Sequence, residues 1–180
     1  MSAETGVPME TLFSGNDLDG EEAALCDAAY SLCERMPLYI KAGQPMDANC
    51  IVETCRGLKK TSGLKLVVAD GLPSIVDHVD DEPRILKLSK LARDLDVAVV
   101  LTDLATRGGP LRKPGLRNLI NGEAECRYAD TILFIHRPEF NSLGGGDANE
   151  AELIVVKHPW IQPCTFKLRF QPEYSRFTNL

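Results

Sequence analysis

GLKLVVAD, residues 63–70, is the stretch on which the reading of this 180-residue chain turns. Residues 65–69 make a short β-branched run ending on a small residue, and Asp70 follows at its C-terminal tip. Apolar side chains on both faces suit a strand buried in a parallel sheet. Ligands of open α/β sheets sit beyond the carboxyl ends of the strands, where Asp70 falls. A carboxylate there can hold a metal–phosphate complex. The same stretch also suits an ordinary strand closed by an Asp that starts a turn.

Working outward, the flanking pattern alternates helix and strand. Residues 21–36 predict a helix, with acids in the first turn and Leu25, Ala28, Ala29, Leu32 and Met36 at helical spacing before Pro37 stops it. Residues 38–42 predict a short strand. Residues 48–60 predict a second helix, with Asp47 as N-cap, a stripe of Ile51, Val52, Cys55 and Leu58, and Lys59 and Lys60 at its end. A third helix is expected from Pro83, burying Ile85, Leu88, Leu91, Ala92 and Leu95. Residues 97–104 and 131–136 predict strands, and 117–129 a weak helix. Residues 152–157 and 166–170 are expected as closing antiparallel strands, with 174–177 pairing or packing at an edge. Residues 1–19 are expected to be irregular. The sum is an α/β fold, a mostly parallel sheet with a β extension, in one domain over residues 1–180.

Composition narrows the class. The chain is 44% hydrophobic and 26% charged, as in soluble globular proteins. No apolar run approaches the ~20 residues that span a bilayer, so no membrane role is expected. The start, MSAETGVPME, has neither the basic nor the apolar region of a secretory signal. The six cysteines form no CxxC, and the three histidines have no metal-site spacing to them. All six are expected as reduced core or near-core thiols, and the location as cytoplasmic. A net charge of −6 argues against coating nucleic acid through the overall field. The local exception is Arg107, Arg112, Lys113 and Arg117, a run without an acid. It reads either as a patch for single-stranded DNA, weak at most, or as a solvated loop.

Several separated segments together resemble one family. GVPMETLFSG, PLYI, GLKLVVAD, LARDLDVAVVLTDLATR, KPGLRNLINGEAECRYADTILFIHRPEF and EAELIVVKHPW with FKLRFQPEYSRFTNL are collinear with the C-terminal, RecA-like motor domain of DnaB-type replicative DNA helicases. No single piece is specific; the ordered set is. The resemblance implies a P-loop NTPase-type fold, ATP and magnesium as cofactors in the family, and a ring that unwinds DNA during replication.

Residue by residue, the resemblance implies a damaged motor. Asp70 stands at the Walker B position that helps to hold magnesium. Leu72 retains part of the following D-Y-L-Q-L run, whereas Gly71 and Pro73 do not. Asp103 stands where a glutamine senses the γ-phosphate; an ionised carboxylate repels phosphate and cannot donate to it. The K-x-R finger reads Lys157-His158-Pro159, so the lysine remains and Pro159 replaces an arginine. Such arginines supply roughly 10³–10⁵ in rate. In the DNA-contacting loop, Ile120 stands where the family has arginine, and Arg117 either substitutes for it or is solvated. No GxxxxGK followed by Ser or Thr occurs, so the P-loop strand and helix are expected to be missing.

The expectation is therefore a DnaB-type C-terminal-domain homologue, truncated and degenerate, silent by itself and with no cofactor of its own. The alternatives are a non-enzymatic module docking to a helicase ring or DNA, and an active domain completed by a further N-terminal part. Removing a central strand leaves 97–104 and 131–136 either flanking a gap or pairing directly. Exposed apolar strands cost several kcal/mol at ~25 cal/mol per Å², and invite a partner. An intact helicase subunit, or self-association through the incomplete sheet, would answer that.

Overall fold

The computed structural model describes residues 1–14, 18–43, 46–72, 75–76, 83–105, 113–119, 122–138 and 149–180. Six α-helices are described: α1 (Ser2–Thr5), α2 (Met9–Ser14), α3 (Gly20–Arg35), α4 (Ala48–Ser62), α5 (Arg84–Leu95) and α6 (Gly122–Tyr128). The described strands are β1 (Met46–Asp47), β2 (Leu66–Ala69), β3 (Ile75–Val76), β4 (Ala98–Leu101), β5 (Ile132–His136), β6 (Glu150–Lys157), β7 (Cys164–Gln171) and β8 (Arg176–Asn179). They form a parallel β1–β3 pair, a parallel β2–β4 pair, and a four-stranded sheet in the order β5-β6-β7-β8. The α/β class with antiparallel closing strands is as expected, β8 running antiparallel to β7 at the sheet's edge. The chain divides into two compact units, residues 1–40, 135–154 and 165–180 in the first and 41–134 with 155–164 in the second.

The second unit holds the main core. Asp47 caps α4 by accepting from the N–H groups of Asn49 at 2.6 Å and Cys50 at 3.3 Å. Gly63, left-handed at φ 67°, ends the helix and releases the chain into β2. Ala48, Ile51 and Cys55 of α4 pack with Ile85, Leu88 and Leu91 of α5, as their spacing predicts. The inner residues of the β2–β4 pair, Val67, Ala69, Val99 and Leu101, lie against this cluster. Leu72 and Ile75 complete it.

The outer face of that pair corrects the sequence reading. Leu66 and Val68 of β2 are 53% and 60% exposed, and Val100 of β4 is 49% exposed. A run apolar on both faces needs a layer on each side, and α4 and α5 supply one. β4 pairs with β2 and β5 with β6, and among the described residues β4 and β5 do not pair with each other.

In the first unit, the termini are fastened together. Arg176 Nη1 donates to the carbonyl of Ala3 at 3.2 Å, and Ser2 Oγ lies 3.5 Å from the carbonyl of Glu173. Arg137 lies 4.1 Å above the Phe170 ring, which packs on Phe177 with centroids 4.8 Å apart. Helix α3 begins on a capping box, Asp19 with Glu22.

Other expectations fail. Residues 38–42 form no strand; Leu38, Tyr39 and Ile40 are extensively exposed. Strand composition alone cannot supply a ladder partner. Only part of the α3 stripe is covered: Ala29 is buried, with Cys26 beside the stripe, whereas Leu25, Leu32 and Met36 are exposed. Residues 2–5 and 9–14 are helical rather than irregular, and 117–129 divides into a 3₁₀ turn, Leu116–Asn118, and α6. All six cysteines are free, but only Cys26 and Cys55 are buried, and Cys33 and Cys50 are exposed.

Truncating Leu88 to alanine is expected to lower unfolding free energy by about 2–5 kcal/mol, measured by denaturant titration. Burial pushes the Cys55 thiol above its ordinary value, which lowers its thiolate fraction at neutral pH. Thiol labelling of the native chain, followed by mass spectrometry, is expected to modify Cys33 and Cys50 well before Cys55.

Candidate functional site

The register of the parallel pair builds the tip. Ala69 lies opposite Leu101, so the next residues, Asp70 and Thr102, are neighbours. Thr102 Oγ1 donates to Asp70 Oδ1 at 2.7 Å and accepts from the Gly71 N–H at 2.7 Å. The Thr102 N–H donates to the carbonyl of Ala69 at 3.1 Å, and the Leu72 N–H to that of Thr102 at 2.8 Å. Gly71, at φ 85°, permits the turn that aims its amide back at the hydroxyl. Asp70 is exposed.

Sequence reasoning did not single out Thr102. Its only signal was a hydroxyl residue just inside a tip acid on a second apolar run. A hydroxyl can both donate and accept, which is why it joins the carboxylate of one strand end to the backbone beyond it.

Asp103 is half-buried, and its Oδ1 accepts from the N–H of the next residue, Leu104, at 2.7 Å. The carboxylate is thus turned onto its own backbone. Both Asp103 and Asp130 also line a cavity of about 440 Å³ in the second unit, walled largely by apolar residues from α5, β4 and β5.

Lys157, at the end of β6, donates from Nζ to the carbonyl of Cys126 at 2.7 Å and to that of Ala129 at 2.6 Å. Those carbonyls belong to the C-terminal end of α6, where unsatisfied acceptors and the helix dipole favour a cation. Beyond it, His158 Nδ1 accepts from the N–H groups of Trp160 at 3.1 Å and Ile161 at 3.2 Å. Pro159 is exposed in this turn, and Trp160 is 88% exposed with the His158 ring 5.6 Å away in an edge arrangement.

Of the four expected DNA-contacting cations, Lys113 and Arg117 are exposed, Arg117 within the 3₁₀ turn. Arg107 and Arg112 lie outside the described residues, as do Ile120 and Pro73.

Among the described residues, no group of three His, Cys, Asp or Glu side chains could hold a metal ion. Magnesium takes one or two carboxylates together with phosphate oxygens. Asp70 offers one carboxylate, already shared with the Thr102 hydroxyl. These residues do not by themselves fit a magnesium–triphosphate. No helix among the described residues is long and apolar enough to cross a membrane.

The family model for the DnaB-like helicase C-terminal domain matches residues 1–179. The replicative DNA helicase DnaB of Leifsonia xyli is 31% identical over 192 aligned positions, covering 100% of this chain and 41% of the relative. The replicative DNA helicase DnaC of Bacillus subtilis is 26% identical, with 100% and 42% covered. This chain therefore spans about two fifths of the length of these relatives. Among solved structures, a DnaB-like replicative helicase studied for its interactions with primase superimposes with a TM-score of 0.80 at 25% identity. That match covers 99% of this chain and 47% of the other. With the family model matching all but the last residue, the chain belongs to the DnaB-like helicase C-terminal domain family.

Proposed function

We propose that this 180-residue chain carries the scaffold of a replicative-helicase motor and does not hydrolyse ATP by itself. The observation that carries this reading is the commitment of Lys157. An ammonium satisfied by two carbonyls at 2.7 and 2.6 Å is held by its own subunit rather than offered to a neighbour's phosphate. Asp103 supports it, because a carboxylate closed on the Leu104 amide can neither donate to a γ-phosphate nor approach one without repulsion. Pro159 supports it again, having neither charge nor donors at the finger position. Asp70 is the residue that retains a role in metal binding, as one ligand that needs the rest of a site from elsewhere. ATP and magnesium are then cofactors of the family's complete motor. The partners of this chain are an intact helicase subunit or a second copy of itself, met through the incomplete sheet.

Phosphate release from the purified chain is expected to stay at background with ATP and magnesium, with or without single-stranded DNA. Turnover that Asp70→Ala abolishes would overturn the reading.

The exposed Lys113 and Arg117, with Arg107 and Arg112, make a second, weaker contribution in contact with single-stranded DNA. Four phosphate contacts on a single strand give a salt slope of about −2.8 in log K against log salt. Affinity is therefore expected to fall roughly 50-fold between 50 and 200 mM salt, measured by fluorescence anisotropy. Nanomolar binding that persists at the higher salt would count against it.

A further inference from the structure

The turn between β6 and β7 is closed by a side chain. Residues 158–163, His-Pro-Trp-Ile-Gln-Pro, join the two strands. His158 Nδ1 accepts from the N–H groups of Trp160 at 3.1 Å and Ile161 at 3.2 Å. Carboxylate, amide and hydroxyl oxygens commonly close turns and helix starts by accepting from amides two and three residues on. The Asp19 carboxylate does so for Glu21 and Glu22. Here an imidazole nitrogen takes that place. Pro159, between the acceptor and its donors, has a fixed φ and no N–H of its own.

The residue type matters because of its proton. A ring nitrogen that accepts carries no hydrogen, so this network assigns His158 as neutral with its N–H on Nε2. Adding a proton puts N–H groups on both nitrogens. Nδ1 then turns a donor towards two backbone donors, and both amides lose their acceptor. An amide oxygen in the same place would not titrate. Histidine is the side chain whose ordinary charge change lies between pH 5 and 8.

The charges around the turn are engaged elsewhere. Lys157 directs its ammonium to the carbonyls of Cys126 and Ala129. On α6, whose end Lys157 meets, Glu123 and Arg127 pair with each other at 2.9 Å and Glu125 is buried; Asp130 follows the helix. On the strands, Lys167 of β7 pairs at 2.8 Å with Glu150, at the start of β6. None of the ion pairs among the described residues includes His158. The side chain that the turn carries is the single tryptophan of the sequence. Trp160 is 88% exposed, so the backbone turn rather than packing sets its position.

We infer that His158 is an acid-sensitive latch: its neutral imidazole closes the turn over residues 158–161 and fixes Trp160, and protonation opens it. The turn is closed where the ring is neutral and is lost as the pH falls. This rests on the geometry of the turn and on nothing about ATP, DNA or the incomplete sheet.

The test is nitrogen NMR of the full chain at about pH 8 and about pH 5. At the higher pH the His158 ring is expected as the Nε2–H tautomer. Each amide's water-exchange rate is divided by that of an unstructured peptide at the same pH. For Trp160 and Ile161 this ratio is expected to rise roughly fivefold or more at the lower pH, as for the loss of about one hydrogen bond. The rise is expected to track titration of the His158 ring, with the amide of Val155 in β6 unmoved. His158→Asn, which keeps an acceptor and removes the titration, is expected to hold both amides protected at both pH values. His158→Ala is expected to leave both unprotected throughout. An Nδ1–H tautomer at the higher pH overturns the proposal, as does protection indifferent to pH. So does a pH response that survives in His158→Asn, or protection that survives in His158→Ala. The tautomer and the pH comparison need no variant, so they decide the matter even where a variant fails to fold.

Discussion

The parallel pairing of β2 with β4 is the constraint on which the second unit depends. Four residues of each strand are locked in register, from Leu66 opposite Ala98 to Ala69 opposite Leu101. The pairing sets which side chains face α4 and α5, since a slip by one residue would turn Val67, Ala69, Val99 and Leu101 away from the core. It also sets the tip. Asp70 and Thr102 meet only because they follow a matched pair, and the hydroxyl then joins the carboxylate to the Gly71 amide. Core and candidate site are thus two ends of one hydrogen-bonded ladder.

Around that ladder, groups that the family resemblance associates with phosphate are engaged within the fold. Asp103 accepts from its own neighbour, Lys157 neutralises the end of α6, and Asp70 is bridged by Thr102. Each of these contacts is physically ordinary: an acceptor-only carboxylate finds an N–H, and an ammonium finds helix carbonyls. Their joint effect is to make charged residues part of the scaffold. The apolar surface has the opposite character. Leu66, Val68 and Val100 present one apolar face that no described element covers.

How much of this was legible before any fold was known depended on whether the signal was local. Helices α4 and α5 were readable because Asp47, Ile51, Cys55, Leu88 and Leu91 combine a cap with an unbroken apolar period. The tip acid was readable from the run that ends on it. Thr102 was not, since its role exists only once a strand some thirty residues away lies beside it, as the separation of 31 between Gly71 and Thr102 records. The stripe of α3 misled for a related reason. Periodicity identifies an apolar face, but Leu25, Leu32 and Met36 remain exposed while Cys26 and Ala29 are covered.

By itself, then, the amino-acid order determined helices α4 and α5, strands β2 and β4, the α/β class and the family, because caps, periods and collinear segments are properties of neighbouring residues. Tertiary structure alone decided which faces are covered, that Lys157 reaches the carbonyls of Cys126 and Ala129, and that β4 and β5 border a shared cavity. The physical reason is that burial and hydrogen-bond partnership are relations between distant segments. A strand such as 66–69 carries its own hydrophobicity wherever it stands, but its second face is buried only if another layer of the molecule is there to meet it.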